Sequence, residues 1–354
     1  MRKIGVKIYL LVLLALISCN EKNNTAKEQQ TASDSSQEVA HVANEEKVQD
    51  VNLDNHNNLV LRMEQDNKFI MQFVFHHNIE LILQSKADSM YRHQTAIQDN
   101  KVVYDCTVSK VASNGDFTLN LKFKSISDKL SGSLGETKTF DSHSFKNVRD
   151  VPENYKLSYA LIGKQYQVIL SPLGDLKKIN GIAEIKQKII DEIKQTKQKN
   201  SQISSQIDNI FDFVRISQFY KRIFNYTTQQ NITTNKKWSN EYIANMDKVL
   251  AVDAEYEILQ ENKNMLTLNV SAKLTDKMPN LKKNYSSQVI GEINGSGVLK
   301  GKLKVDRKTG MFSEINTKQN LKFIEKQTKK NAPNKVLIKE INRKTDFSAS
   351  VKWK

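Results

Sequence analysis

The sequence predicts an α+β fold that is predominantly antiparallel β-sheet, and three features of its hydrophobic pattern predict it. Apolar residues alternate with polar ones from Leu59 to Ile179, recur every three or four residues from Ile182 to Tyr226, and alternate again from Leu266 to Trp353. Successive side chains of a strand point to opposite faces, whereas a helix returns to the same face after about 3.6 residues. Alternation therefore marks half-buried strands and the longer spacing marks amphipathic helices. The expected arrangement is two related curved-sheet halves, residues 58–181 and 227–354, with a helical segment at 182–226 between them.

The chain opens with Arg2, Lys3 and Lys7, an apolar run from Ile8 to Ile17, and the tetrad Leu16-Ile17-Ser18-Cys19. Basic, apolar and small-residue regions stand there in the order of a bacterial lipoprotein signal. The run is about ten residues, too short for a hydrocarbon core that takes ~20. Residues 1–18 are thus expected to be a cleaved signal peptide, with Cys19 the acylated first residue of the mature protein. Resemblance to that signal implies a thioether-linked diacylglycerol on Cys19 and a third, palmitate-like chain on its amine. At ~0.8 kcal/mol per buried methylene, two or three chains anchor durably. Asn20, directly after the lipidated residue, suits the outer membrane as destination.

Residues 19–57 are rich in Asn, Gln, Ser, Glu and Lys, and from Asn20 to Asp54 eight acidic residues face three lysines. Such a stretch has too little apolar surface to offset the entropy of ordering, so it is expected to be a disordered acidic tether.

Within the first half, Leu59, Leu61 and Met63 predict one strand and Phe69, Met71, Phe73 and Phe75 another. Val102–Val108 and Phe117–Phe123 flank Asn114-Gly115-Asp116 as a hairpin, since Asn and Gly tolerate the backbone angles of tight turns. A second hairpin runs from Tyr166, Val168 and Leu170 through Pro172-Leu173-Gly174-Asp175 to Leu176 and Ile179. In the middle, Ile182, Ile185, Ile189 and Ile193, then Ile203, Ile207, Ile210 and Val214, then Phe219, Ile223 and Phe224 predict two or three helices with a break near Asn200-Ser201. The second half follows with Leu266 to Leu274, Leu299 to Val305, the turn Asp306 to Gly310, and Phe347, Ala349, Val351 and Trp353. Tyr104–Ile126 parallels Ala254–Thr275, and Lys164–Ile179 parallels Lys300–Ile315, as in two copies of one unit.

The formal net charge is +15, and from Lys300 to Lys354 sixteen basic residues face five acidic ones. These lysines alternate with apolar residues, so they are expected on the wet face of strands, where they deter edge-to-edge pairing. A contact with polyanions through this basic end is the alternative. No nucleic-acid partner is expected. With Cys19 acylated, Cys106 is the remaining thiol, and its alternation with Val102, Tyr104 and Val108 predicts a small buried hydrophobe.

No catalytic residue, cofactor or metal site is expected. His76 and His77 are neighbours on a strand and point apart, His41 and His56 lie in the tether, and no paired-ligand spacing occurs. Asp141, Ser142, His143 and Ser144 lack the sharp turn and oxyanion donors of a hydrolase and read as a polar surface loop. Gly291, Gly295, Gly297 and Gly301 precede no helix and suit bulges or bends in a curved sheet. Trp238 and Trp353 are expected to pack near strand ends.

Asn114-Gly115-Asp116, Phe140-Asp141-Ser142, Gln165-Tyr166-Gln167-Val168 before Ser171-Pro172-Leu173-Gly174, a helical middle, Trp238 and Gly295 to Gly310 follow one another in an order that resembles an uncharacterised family of bacterial envelope lipoproteins. The resemblance spans most of residues 59–325, and it implies fold and location, not an activity. The expected function is a non-catalytic, membrane-anchored envelope protein that binds a hydrophobic or amphiphilic ligand or an envelope partner. A structural or surface protein contacting polyanions is the alternative, and a hydrolase the third. On this basis Cys19→Ala should abolish incorporation of labelled fatty acid and leave unprocessed precursor. Equal labelling of the variant would show that the lipid is elsewhere.

Overall fold

The computed structural model describes residues 57–85, 89–133, 137–193, 200–245, 249–278, 281–286, 289–329 and 331–354. The signal peptide, Cys19 and all but the last residue of the tether lie outside them. The alternation that begins at Phe69 produces unusually long strands: β1 (Lys68–Ser85), β2 (Met90–Val111) and β3 (Phe117–Gly132), followed by the short β4 (Lys138–Asp141). After the small helix α1 (Lys156–Ala160) come β5 (Gln165–Leu170) and β6 (Leu176–Asn180), then helices α2 (Ile182–Ile193), α3 (Asn200–Ile210) and α4 (Phe213–Phe224). The chain finishes with β7 (Lys237–Asn245), β8 (Val249–Glu261), β9 (Met265–Asp276), β10 (Leu281–Ser286), β11 (Val289–Asp306), β12 (Phe312–Lys329) and β13 (Ala332–Trp353).

Among the described residues, thirteen strands form one open curved sheet in the order β6-β5-β3-β2-β1-β13-β12-β11-β9-β8-β7, with β4 beside β3 and β10 beside β11. The two β-rich stretches are therefore joined side by side. Their seam is the antiparallel pairing of β1 with β13, in register from Phe69 opposite Trp353 to Ser85 opposite Leu337.

One face of this sheet is buried. Phe69, Met71, Phe73 and Phe75 on β1, Tyr104, Cys106 and Val108 on β2, Phe117, Leu119, Leu121 and Phe123 on β3 and Phe347 on β13 all supply it. The helices cover that face: α2 turns Ile185, Ile189 and Ile193 inward, and α4 turns Ile216, Tyr220, Ile223 and Phe224. Ring contacts tie the layers together, with Phe219 of α4 edge-on to Phe73 at 4.9 Å and Phe211 edge-on to Tyr166 at 5.3 Å. Aromatic pairs in such arrangements contribute about 0.5–1.5 kcal/mol each beyond their area. Asp212 caps α4 by accepting from the Arg215 amide at 2.9 Å, while Lys221 and Arg222 in the last turn complement its dipole. The opposite face carries Lys300, Lys302 and Lys304, all exposed, as suits an antiparallel sheet with one face in water.

Several details differ from the sequence-based expectation. Leu59–Met63 is buried but belongs to no named strand: it runs extended, with Leu59 bridging Thr228, the Leu61 amide donating to Pro172 O at 2.7 Å and the Arg62 amide to Thr309 O at 2.7 Å. Between β4 and β5 the chain coils through 3₁₀ turns at Ser142–Ser144, Val148–Asp150 and Glu153–Tyr155 before α1. Asp141 and Asn147 accept from amides one turn on, a local alternative to strand pairing that alternation does not reveal. Gly295, Gly297 and Gly301 do not mark bulges, for β11 stays in register with β12 until Lys304. They give room instead: a Cβ on Gly295 would lie 2.8 Å from the Phe323 ring, and one on Gly297 2.6 Å from Leu321.

The β5–β6 turn shows how tightly the layers fit. Gly174 has φ +76°, and a Cβ there would sit 2.2 Å from Cβ of Phe224. Gly174→Ala should therefore cost about 2–4 kcal/mol, from left-handed strain plus overpacking beneath α4. Gly163→Ala, at φ +79° with nothing within 4 Å, should cost only the strain, about 1–2 kcal/mol. Chemical denaturation of both variants checks this, and equal losses would exclude the contact with Phe224 as the cause.

Candidate ligand site between helix α4 and the sheet

The floor beneath the C-terminal end of α4 is made of small residues. Ala254 on β8 pairs with Ala272 on β9, and Gly301 on β11 pairs with Val270 of β9. Where a sheet presents small side chains under a helix, the layers cannot close completely. A cavity of about 30 Å³ remains, walled by Val252, Val270, Leu299, Leu303, Ile315 and Phe347 with Tyr242 and Tyr256 at its side.

Arg222 enters this apolar space from the last turn of α4. Its guanidinium carbon lies 4.9 Å above the centre of the Phe347 ring, a cation–π contact. The Nε and Nη2 atoms are shielded from solvent and make no hydrogen bond, and neither does Oγ1 of Thr317, which lines the same cavity. Burial holds the guanidinium below its ordinary pKa, and the Tyr242 phenol acts the other way. Burial likewise pushes Tyr242 up while Arg222 draws it down. An arginine does not lose its proton under such pressure, so the charge stays. Tyr256 is fixed at the wall by stacking on Trp238 at 5.7 Å and by accepting from Asn225 Nδ2 at 3.4 Å.

A band of polar side chains crosses the helix-covered face next to the cavity. Asp128 on β3 faces Asn100 on β2, Gln98 on β2 faces His77 on β1, and Thr345 on β13 faces both His77 and Gln319 of β12. Asp128 accepts from Asn100 Nδ2, from Gln98 Nε2 at 3.1 Å and from the Tyr155 hydroxyl at 3.4 Å. Burial pushes the Asp128 carboxyl up, against those three hydrogen bonds, and Tyr155 is raised to about 12 by burial and by Asp128. His77 Nδ1 shares a proton with Thr345 Oγ1 at 2.9 Å. Past this band the same face of β1 carries Ile79, Leu81 and Leu83, all partly exposed.

The residues singled out by sequence fall elsewhere. His76 points to the other face and meets Asp99, so the two histidines do part as expected. Ser142 is buried and its hydroxyl accepts from the Ile126 amide at 3.0 Å, Asp141 accepts from the His143 amide at 2.9 Å, and His143 is exposed. Asp141 and Ser144 help line an open concavity of about 410 Å³ with Asp99, Lys101, Ser127 and Lys129. Cys106 is buried, with its thiol pushed up by burial. Trp238 is buried and donates from Nε1 to Tyr226 O at 3.1 Å, whereas Trp353 stays 38% exposed beside Phe69. Among the described residues no cluster of three metal-ligating side chains occurs. Arg222 and the polar band were not foreseen. The available signal was a basic residue between Phe219 and Phe224 on an apolar helix, and polar residues breaking the alternation at His77, Asn100, Gln319 and Thr345.

The fold is thus a single antiparallel sheet covered on one face by helices, with Arg222 over a small apolar cavity. The chain belongs to a family of unknown function, DUF6263, whose pattern residues 114–312 match. That span contains α4, Arg222, Tyr242 and the small-residue floor. Distant structural similarity is found to a chain solved as "lipid-protein interactions in lipovitellin", at 7% identity and a TM-score of 0.38, covering 80% of this chain and 25% of that one. An outer-membrane channel from Pseudomonas putida F1 is similar at 6% identity and a TM-score of 0.19, with 83% and 98% covered. This chain thus spans about a quarter of the lipovitellin chain, and similarity at these scores carries no statement about ligands. No curated protein matches the sequence.

Because Asp128 binds its proton more tightly in the folded chain than at the ordinary value of about 3.9, its contribution favours folding below that value. The contribution is lost as pH rises through the elevated folded value. Asp128→Asn should therefore flatten this part of the profile, losing less stability than the parent chain as pH rises above about 4. Urea midpoints across that range are the measurement, and parallel profiles would sink the assignment.

Proposed function

We propose that this protein is a lipid-anchored component of the bacterial cell envelope, held on the outer membrane through acylated Cys19, that binds an amphiphilic ligand without transforming it. The observation that carries this reading is the cavity under α4, where apolar walls meet the shielded, unpartnered donors of Arg222 and Thr317. An amphiphile meets both demands at once, with its polar end on the donors in the cavity of about 30 Å³ and its apolar part beyond it. A second reading, a surface that contacts polyanions, is favoured by the opposite face, where exposed Lys300 stands directly across from Lys318. Like charges so placed repel one another, and a bound polyanion would relieve them.

Native mass spectrometry of protein released from its own membranes tests the first reading. A stoichiometric small molecule should accompany the parent chain and be missing from Ala272→Leu, which fills the floor of the cavity. Retention by that variant, or a bound protein in place of a small molecule, would count against the reading. Salt separates the alternative, since polyanion binding through Lys300, Lys302 and Lys304 would collapse at moderate ionic strength. Loss of complementation by alanine at Asp141, Ser142 and His143 in a folded, lipidated chain would favour an enzyme.

A further inference from the structure

We infer that the cavity under α4 is a carboxylate site, in which Arg222 grips the two oxygens side-on through Nε and Nη2 and Thr317 adds a hydroxyl. This rests on the proposed ligand-binding role and names the chemistry of the ligand's polar end. The first support is which atoms lack partners. The Nε–H and one Nη2–H bond of a guanidinium are parallel and form one edge of its fork, the edge that matches a planar carboxylate. Both of those nitrogens, together, are buried without a hydrogen bond. The guanidinium carbon sits 4.9 Å over the Phe347 ring, a contact that uses neither of those N–H bonds.

The second support is energetic. Arg222 is only partly buried, but its Nε–Nη2 edge is shielded without a hydrogen bond, and charged donors left unsatisfied in that way are costly, a cost arginine cannot relieve by deprotonation. Among the described residues, the electrostatic influence on Arg222 is the Tyr242 phenol, not a carboxylate. Elsewhere in this chain cations do find carboxylates, as Lys164 does with Glu192 at 2.7 Å and Lys156 with Glu153 at 2.7 Å. Arg222 is thus suited to an anion that the described residues do not provide.

Size and surroundings select the anion. A cavity of about 30 Å³ has room for roughly two water-sized centres, which suits the two oxygens of a carboxylate and not the tetrahedral head of a phosphate. The walls of Val252, Val270, Leu299, Leu303 and Ile315 offer no further polar partners, and a cavity of this size takes the carboxylate head alone, so the tail of a longer acid lies outside it. A medium- or long-chain monocarboxylic acid has this chemistry. A small free carboxylate shares the head but lacks the tail.

Calorimetric titration of the full mature chain in a nonionic detergent, with octanoate, octan-1-ol, octyl phosphate and acetate as probes, tests the assignment. Octanoate is expected to bind one to one, with octan-1-ol and octyl phosphate at least tenfold weaker. Arg222→Met should erase the preference for octanoate over octan-1-ol and raise the melting temperature of the ligand-free chain. Thr317→Val should weaken octanoate several-fold while keeping the preference, and it provides a test should Arg222→Met fail to fold. Octan-1-ol binding as tightly as octanoate would overturn the carboxylate site while leaving the amphiphile reading standing. Acetate competing on equal terms with octanoate would keep the site and overturn the amphiphile reading. Absence of binding by both carboxylates, or an undiminished preference in Arg222→Met, would overturn the inference.

Discussion

The structure depends on the covering of one sheet face. A sheet that neither closes into a barrel nor packs on a second sheet must shield its apolar face with something else, and here helices do so. The aromatic contacts Phe73–Phe219, Tyr166–Phe211 and Phe123–Phe211 fix where they sit. Burial beneath them pushes the hydroxyls of Tyr104, Tyr166 and Tyr220 up and seals the Cys106 thiol from solvent. The same docking swings the end of α4 over the small-residue floor, so the position of Arg222 follows from packing tens of atoms away.

The two faces of the sheet obey different rules. On the open face, charges meet across strands, as Lys304 with Glu314 at 2.8 Å and Lys322 with Glu340 at 2.8 Å. The Lys304 and Lys322 ammonium groups are half in water, so such pairs contribute about 0–1 kcal/mol each and mainly keep the face soluble and in register. On the covered face few polar groups occur, and most find a neighbour, as Asp128, Asn100 and His77 do. The guanidinium of Arg222 stands apart from both patterns.

Much of the fold was legible because long strands with one wet face write their alternation plainly into the sequence. The hairpin around Gly115 and the helical middle between Ile182 and Phe224 were placed from spacing alone. What spacing could not show was depth. Period-two reasoning treats Leu59–Met63 as a strand, since it sees which side chains are inward but not whether a neighbouring strand is there to pair with. It also missed β7, whose pattern is broken by Asn240 reaching inward to donate to Thr227 O at 2.9 Å. The cavity was illegible for a related reason. Arg222, Ala254, Ala272, Gly301 and Thr317 lie on different elements, and only the register that aligns β8, β9, β11 and β12 under α4 brings them together.

The seam between β1 and β13 bears on the order in which the molecule can assemble. Near the middle of the sheet, β13 (Ala332–Trp353) lies along β1 (Lys68–Ser85). A chain emerging from a ribosome or a narrow pore can form the flanking hairpins early, yet it holds β1 with an unpaired edge until β13 has emerged. Contacts so distant in sequence close slowly, and an exposed edge meanwhile invites foreign strands. Closing the seam thus joins residues more than 250 positions apart in the chain.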